Sequence, residues 1–172
     1  MSGRYPLLTS NFTNRTCRAA RPSGLTPAGT IGGLSPVHET SVRVRYAETD
    51  QMGVVYHANY LVWMEIGRTE FAKSVGMRYA DMERAGYLMT VVEVSVRYAD
   101  AARYDDDLVI RTQVEAANPR MVTFRYEVEH AGSGRRLATG QTKHFFCSRT
   151  PEGLKPTKLP EEYHAFFGIA RR

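Results

Sequence analysis

Cysteine is nearly absent: Cys17 and Cys147 are the only two in 172 residues. Two cysteines leave no room for a disulfide framework or a four-cysteine metal site, and they favour a reducing compartment such as the cytoplasm. Long apolar runs are missing as well. Nothing approaches the roughly 18 consecutive apolar residues of a membrane-spanning helix, so no stable membrane insertion is expected. The chain also lacks a G-x-S-x-G elbow, a P-loop and an H-E-x-x-H helix, which removes the serine-hydrolase, nucleotide-hydrolase and zinc-protease readings.

Acidic residues are absent before Glu39, while Arg4, Arg15, Arg18 and Arg21 all lie there. The 23 Lys and Arg residues less these four leave 19 against 18 acidic residues, so the formal charge of +5 comes from the leader. The remainder is close to neutral and shows no clustered basic face, so no nucleic-acid partner is expected. Residues 1–38 are rich in Thr, Ser, Gly, Pro and Arg without helical or strand periodicity, and disorder is the expectation for them. A tail or an upstream start, an organelle transit peptide, and a phosphate- or membrane-binding arm all remain open for this leader. Residues 39–172, of ordinary composition for a globular protein, form a single domain.

Within that domain the pattern alternates between periods of 2 and 3.6. Val42, Val44 and Tyr46 alternate with arginines as a first strand. From Ala58 to Val75, Tyr60, Met64, Gly67, Phe71 and Val75 recur at helical spacing, and Gly76 is placed to end the helix. Such a helix is about 27 Å long at about 1.5 Å per residue. Gly67 in its middle costs about 1 kcal/mol against alanine and marks a close backbone approach. A short second helix is expected over Tyr79–Ala85. Four strand-like runs follow, around residues 88–98, 108–116, 122–129 and 136–147, with hairpin turns at Asn118-Pro119 and Gly132-Ser133-Gly134. Short-looped consecutive strands make an antiparallel sheet with one buried face, and one long helix is available to cover it. The pattern therefore predicts an α+β fold, five strands around one central helix. The tail carries Tyr163, Phe166 and Phe167 as a possible docking helix.

The chemistry concentrates in YAETDQMGVVYHANY, Tyr46 to Tyr60, and the helix it opens. Asp50 stands just ahead of a helix N-terminus. The first turn of a helix carries free N–H groups and about half a positive charge, which suits an oxyanion developing on a substrate carbonyl. The carboxylate can attack that carbonyl or take a proton from a water that does. An aspartate at T-D-x-x-G also forms a simple Asx-turn, and His57 near a helix start also serves as a partner for a nearby polar group.

The run D-x-x-G-V-V-Y-H-x-N-Y, followed by W-M-E-I-G-R-T-E, A-R-Y-D-D-D-L and K-P-x-x-L-P, resembles the 4-hydroxybenzoyl-CoA thioesterase branch of the hotdog-fold family. It is most similar to the short bacterial acyl-CoA thioesterases associated with the Tol–Pal cluster. The resemblance spans Ser41 to Leu159. It implies a hotdog fold, hydrolysis of a short-chain or aromatic acyl-CoA to free acid and coenzyme A, no metal or other cofactor, and a homo-oligomer, dimer or tetramer, with sites between subunits. It implies catalytic roles for Asp50 and, through its backbone N–H and its ring, for His57. Tyr46, Gly53, Val54, Val55, Tyr56, Asn59 and Glu65 would surround the substrate. The H-F-P-G-type loops of hotdog dehydratases are missing.

Rival readings stay open beside it. Glu65 would be the carboxylate if the site followed the branch that places its acid on the central helix, but as an exposed helix residue it is expected to pair with Arg68. Tyr46 and Tyr56 are either acyl-pocket walls or core aromatics. Asp105, Asp106 and Asp107 form a solvated turn rather than a cation site, and His144 belongs to the core or an interface. Lys143, Arg149, Lys155 and Lys158 meet coenzyme A phosphates or merely aid solubility. An acyl-carrier-protein thioesterase and a non-catalytic acyl-CoA-binding module are the alternatives to acyl-CoA hydrolysis.

Overall fold

The structure, a computed structural model, describes residues 35–170, so the expectation of disorder up to residue 34 lies outside the described residues. Ser35 is already buried, its hydroxyl accepting the Val114 N–H at 2.8 Å.

Six strands form one antiparallel sheet: β1 (His38–Arg43), β2 (Tyr87–Tyr98), β3 (Asp107–Asn118), β4 (Met121–His130), β5 (Arg136–Thr150) and β6 (Gly153–Pro156). The order is β1-β3-β4-β5-β2, with β6 pairing with β5 over Cys147–Thr150, beyond the point where β4 has ended. The expected five-strand path is thus present, but the count of five needs correcting. The segment after β5 contains a turn at Pro151-Glu152 and folds back to satisfy backbone groups that β4 no longer reaches.

Period-2 alternation decides the buried face of β4. Val122, Phe124, Tyr126 and Val128 are at most 1% exposed, while Arg125, Glu127 and Glu129 look outward. Against the inner face lies α1 (Asn59–Ser74), 16 residues and thus about 24 Å. It buries Tyr60, Trp63, Met64 and Phe71, packs on β1, β3 and β4, and ends where Gly76 takes the left-handed conformation at φ +86°. Gly67 is where helix and sheet come closest. A Cβ there would sit 2.5 Å from Thr112 Oγ1 and 3.0 Å from Ile110 Cγ2, which is why the helix carries glycine at its centre. A second helix, α2 (Tyr79–Arg84), leads into β2. The tail docks as a 3₁₀ turn (Glu161–Phe167) rather than an α-helix, with Phe167 packed on Phe146 and Phe124.

The buried face expected for β2 is not found in the single chain. Val91, Val92 and Val94 are 43–47% exposed. The reason is position: β2 is an edge strand beyond the helix's footprint, bulged at Val92 where its register with β5 slips. Leu61, Val62 and Ile66 on α1 are exposed as well.

Candidate active site

Between β1 and α1 the chain makes a 3₁₀ turn (Tyr46–Glu48), a tight hairpin and the helix start. Glu48 holds these three pieces together. The residue is 4% exposed, and its side chain accepts hydrogen bonds from Trp63 Nε1 at 3.2 Å, the Arg45 N–H at 2.7 Å and the Arg45 guanidinium at 2.9 Å. Its carbonyl accepts the Tyr56 N–H and the Asn59 side-chain amide. Burial alone would push the Glu48 carboxyl up. The bonds from Arg45 and Trp63 outweigh it and hold the group below its ordinary 4.5. Sequence reasoning passed over Glu48. An acid three residues after an arginine carries no signal that an indole fifteen residues on will bury it.

The hairpin tip carries Asp50. Its N–H donates to the Val54 carbonyl, its own carbonyl accepts the Gly53 N–H, and Thr49 and Val55 form a bridge beneath. Gly53 sits at φ +71° with open space around it, so conformation rather than crowding calls for glycine. Asp50 Oδ1 accepts the Met52 N–H at 2.8 Å, the Asx-turn expected of this motif. Among the described residues Oδ2 has no partner. One oxygen therefore shapes the turn and the other is left for chemistry.

At the helix start, the Asn59 N–H returns to the Tyr56 carbonyl and the Tyr60 N–H to the His57 carbonyl. Among the described residues the N–H groups of His57 and Ala58 have no acceptor. The exposed His57 ring leans on Tyr56, centroids 4.3 Å apart. The Tyr98 phenol donates to the His57 carbonyl at 3.0 Å. A cavity of about 280 Å³ opens here, lined by Val55, His57, Tyr60, Tyr98 and the Ala99–Ala101 turn. Burial raises the phenols of Tyr60 and Tyr98 above their ordinary value.

The expected site residues do not all meet at the cavity. Val55 and His57 line the cavity, while Asp50, Gly53 and Val54 form the hairpin beside it and do not line it. Tyr56 stacks on His57, and Asn59 braces the loop instead of facing the cavity. Tyr46, 78% exposed, packs edge-on against Tyr104 and is no core aromatic. Glu65 lies exposed on α1, and its expected ion pair with Arg68 is not formed among the described residues. Arg68 instead lies near Tyr126 and His144: burial raises the Tyr126 phenol to about 12 and lowers the His144 ring to about 4, and the Arg68 charge opposes the first shift and adds to the second. Tyr98 is the cavity residue that sequence reasoning assigned only to a strand.

The other clusters are structural. Asp107 pairs with Arg43 and Asp106 accepts the Arg103 N–H. Lys143 pairs with Glu93 and Lys155 with Glu152. His144 is fully buried in the core, its Nε2 against Thr142. No group of three or more His, Cys, Asp or Glu among the described residues is arranged to hold a metal ion.

The chain has counterparts among known proteins. The family model described as the thioesterase-like superfamily matches residues 44–167. YneP of Bacillus subtilis (strain 168), whose name provisionally assigns it acyl-CoA thioesterase activity, is 46% identical over 139 residues, covering 79% of this chain and 99% of its own. The acyl-CoA thioesterase YbgC of Haemophilus influenzae is 30% identical over 127 residues, 73% of this chain and 90% of that one. Among solved structures, the DHNA-CoA thioesterase of Staphylococcus aureus superposes with a TM-score of 0.72 at 30% identity, over 76% of this chain and 88% of that one. In sequence and in architecture, the chain belongs to the thioesterase-like superfamily and has its hotdog fold.

Proposed function

We propose that this enzyme hydrolyses acyl-CoA thioesters to free acid and coenzyme A, with Asp50 as the reacting carboxylate and the opening of α1 as the oxyanion site. The observation that carries the reading is the pair of unused N–H groups at His57 and Ala58, beside a cavity and next to a hairpin whose aspartate keeps one oxygen free. A thioester oxygen resting on those N–H groups would be polarised by the helix dipole. Asp50 Oδ2 then adds to the carbonyl carbon, giving a mixed anhydride that water afterwards hydrolyses to free acid and free Asp50, or it deprotonates a water that adds directly. The C–S bond breaks, and coenzyme A leaves as thiolate. The acyl group is taken to be short-chain or aromatic, as the family resemblance implies.

The site in one chain is open, and a second copy would close it. β2 presents an unpaired edge and exposed valines, and α1 presents Leu61, Val62 and Ile66. Such an edge favours antiparallel pairing with another β2 in a homo-oligomer, dimer or tetramer. His57 supports a place in the Tol–Pal-associated branch. The free, buried Cys147 accords with a reducing cytoplasm, and no helix among the described residues is long and apolar enough to cross a membrane.

The test is a thiol-release assay over acyl-CoA esters and an acyl-carrier-protein thioester, with wild type and Asp50→Asn. A loss of at least about 100-fold in kcat is expected for the variant on acyl-CoA. Near-full activity would move the reacting acid elsewhere, with Glu65 next. Turnover confined to the carrier-protein substrate would change the substrate class, and binding without turnover would make the chain a binding module.

A further inference from the structure

We infer that Tyr98 is a positioning residue for thioester hydrolysis, its phenol pinning the peptide that follows His57 so that the N–H groups at the helix start stay aimed at the substrate carbonyl. This rests on the oxyanion role proposed above for that helix start. The two peptide units flanking His57 are each held by their carbonyl. The Tyr56 carbonyl accepts the Asn59 N–H at 2.9 Å, and the His57 carbonyl accepts the Tyr98 phenol at 3.0 Å. A peptide is planar, so fixing the direction of its C=O also fixes the N–H on its other side. With both units tethered, the N–H of His57 and that of Ala58 point in set directions. Without the phenol, among the described residues only the Tyr60 N–H would hold the His57 carbonyl, at 3.4 Å.

The tether is not a helix-capping detail, because Tyr98 comes from another element. It ends the edge strand β2, 41 residues further along the chain, and reaches across the mouth of the cavity to the helix start. Its ring is held edge-on against Tyr60, centroids 5.2 Å apart, and against His57 at 6.4 Å. A tyrosine phenol is protonated, and so a donor, through the neutral range, and partial burial raises this one further. A hydrogen bond on a peptide carbonyl also polarises the amide and strengthens its N–H as a donor. Tyr98 touches no reacting atom in this arrangement. It acts through the backbone.

Tyr98→Phe keeps the ring and removes only the donor. The expected result is a fall of about tenfold in kcat with KM held within about twofold, since the aim of the N–H groups matters most where charge develops. The shape of the pH–rate profile should not change. Loss of its alkaline limb would instead make Tyr98 a proton donor and overturn the positioning role. The decisive readout is vibrational. A ¹³C-carbonyl acyl-CoA is bound to the Asp50→Asn protein, with and without Tyr98→Phe, and the red shift of its C=O stretch is compared. A smaller shift with phenylalanine supports the inference, and an equal shift refutes it. No shift in either protein refutes the oxyanion site itself, a separate failure. Arg97→Gln, one residue away on the opposite sheet face, should leave both readouts at wild-type values. Equal losses there would reduce Tyr98 to general support of the strand, as would a fall in Tm matching the fall in kcat.

Discussion

Gly67→Ala tests how tightly the helix is seated on the sheet, and the structure sets opposing effects against each other. Alanine is worth about 1 kcal/mol more than glycine in a helix interior. The added methyl, however, would lie 2.5 Å from Thr112 Oγ1, where ordinary contact begins at 3.4 Å, so something must give by about 0.9 Å. Thr112 is β-branched and stiff about χ1, and Ile110 Cγ2 at 3.0 Å blocks the neighbouring direction. Overpacking of this kind costs about 1–3 kcal/mol. The balance is a net loss of about 1 kcal/mol, read as a Tm about 3 °C lower by thermal unfolding. Activity should suffer more than stability. If α1 lifts from β3, the helix start moves with it, and displacements near 1 Å cost up to about 100-fold in rate. We therefore expect kcat to fall at least about tenfold. Among the described residues Thr112 Oγ1 has no hydrogen-bond partner, so Thr112→Ala forfeits no polar contact there, and the double variant should recover most of both losses. A Gly67→Ala protein with raised Tm and full activity would show that the close approach does not constrain the helix.

Acid should destabilise the fold in two stages. Burial foremost, with Arg68, lowers the His144 pKa from 6.5 to about 4. The unfolded chain binds that proton first, so stability falls between pH 6.5 and about 4, by about 3 kcal/mol in all. Below 4.5 the depressed Glu48 carboxyl adds to the loss, because its stabilisation is complete above that pH and disappears as the folded group protonates. Chemical denaturation at a series of pH values checks this, and His144→Phe, which titrates nothing, should flatten the upper stage. An unchanged profile in that variant would place the acid sensitivity elsewhere. For the proposed oligomer, Val94→Lys puts a charge in the middle of the exposed β2 edge and should yield monomers in analytical ultracentrifugation. An intact oligomer would mean that the copies meet through another surface.

Much of the molecule was legible in the chain. Alternating residues such as Val122, Phe124, Tyr126 and Val128 dictate a half-buried strand whatever their neighbours, because side chains on a strand point to opposite faces at period 2. The same local logic determined the helix from 59 to 74, its glycine stop, and the Asx-turn at Asp50. Gly67 announced a close approach without naming what it approaches. Only the tertiary structure decided the rest. Strand order put β2 at an edge and left its valines uncovered, and order is a property of pairing between distant segments, invisible to periodicity. The site shows the same division. Asp50, Gly53 and His57 stand in one short stretch whose turn is legible locally, whereas the catalytic roles proposed for Asp50 and His57 come from the family resemblance. Glu48 gains its role from an indole across the helix, and Tyr98 from a carbonyl 41 residues away. Hydrogen bonds between residues far apart in sequence exist only once packing has brought them together.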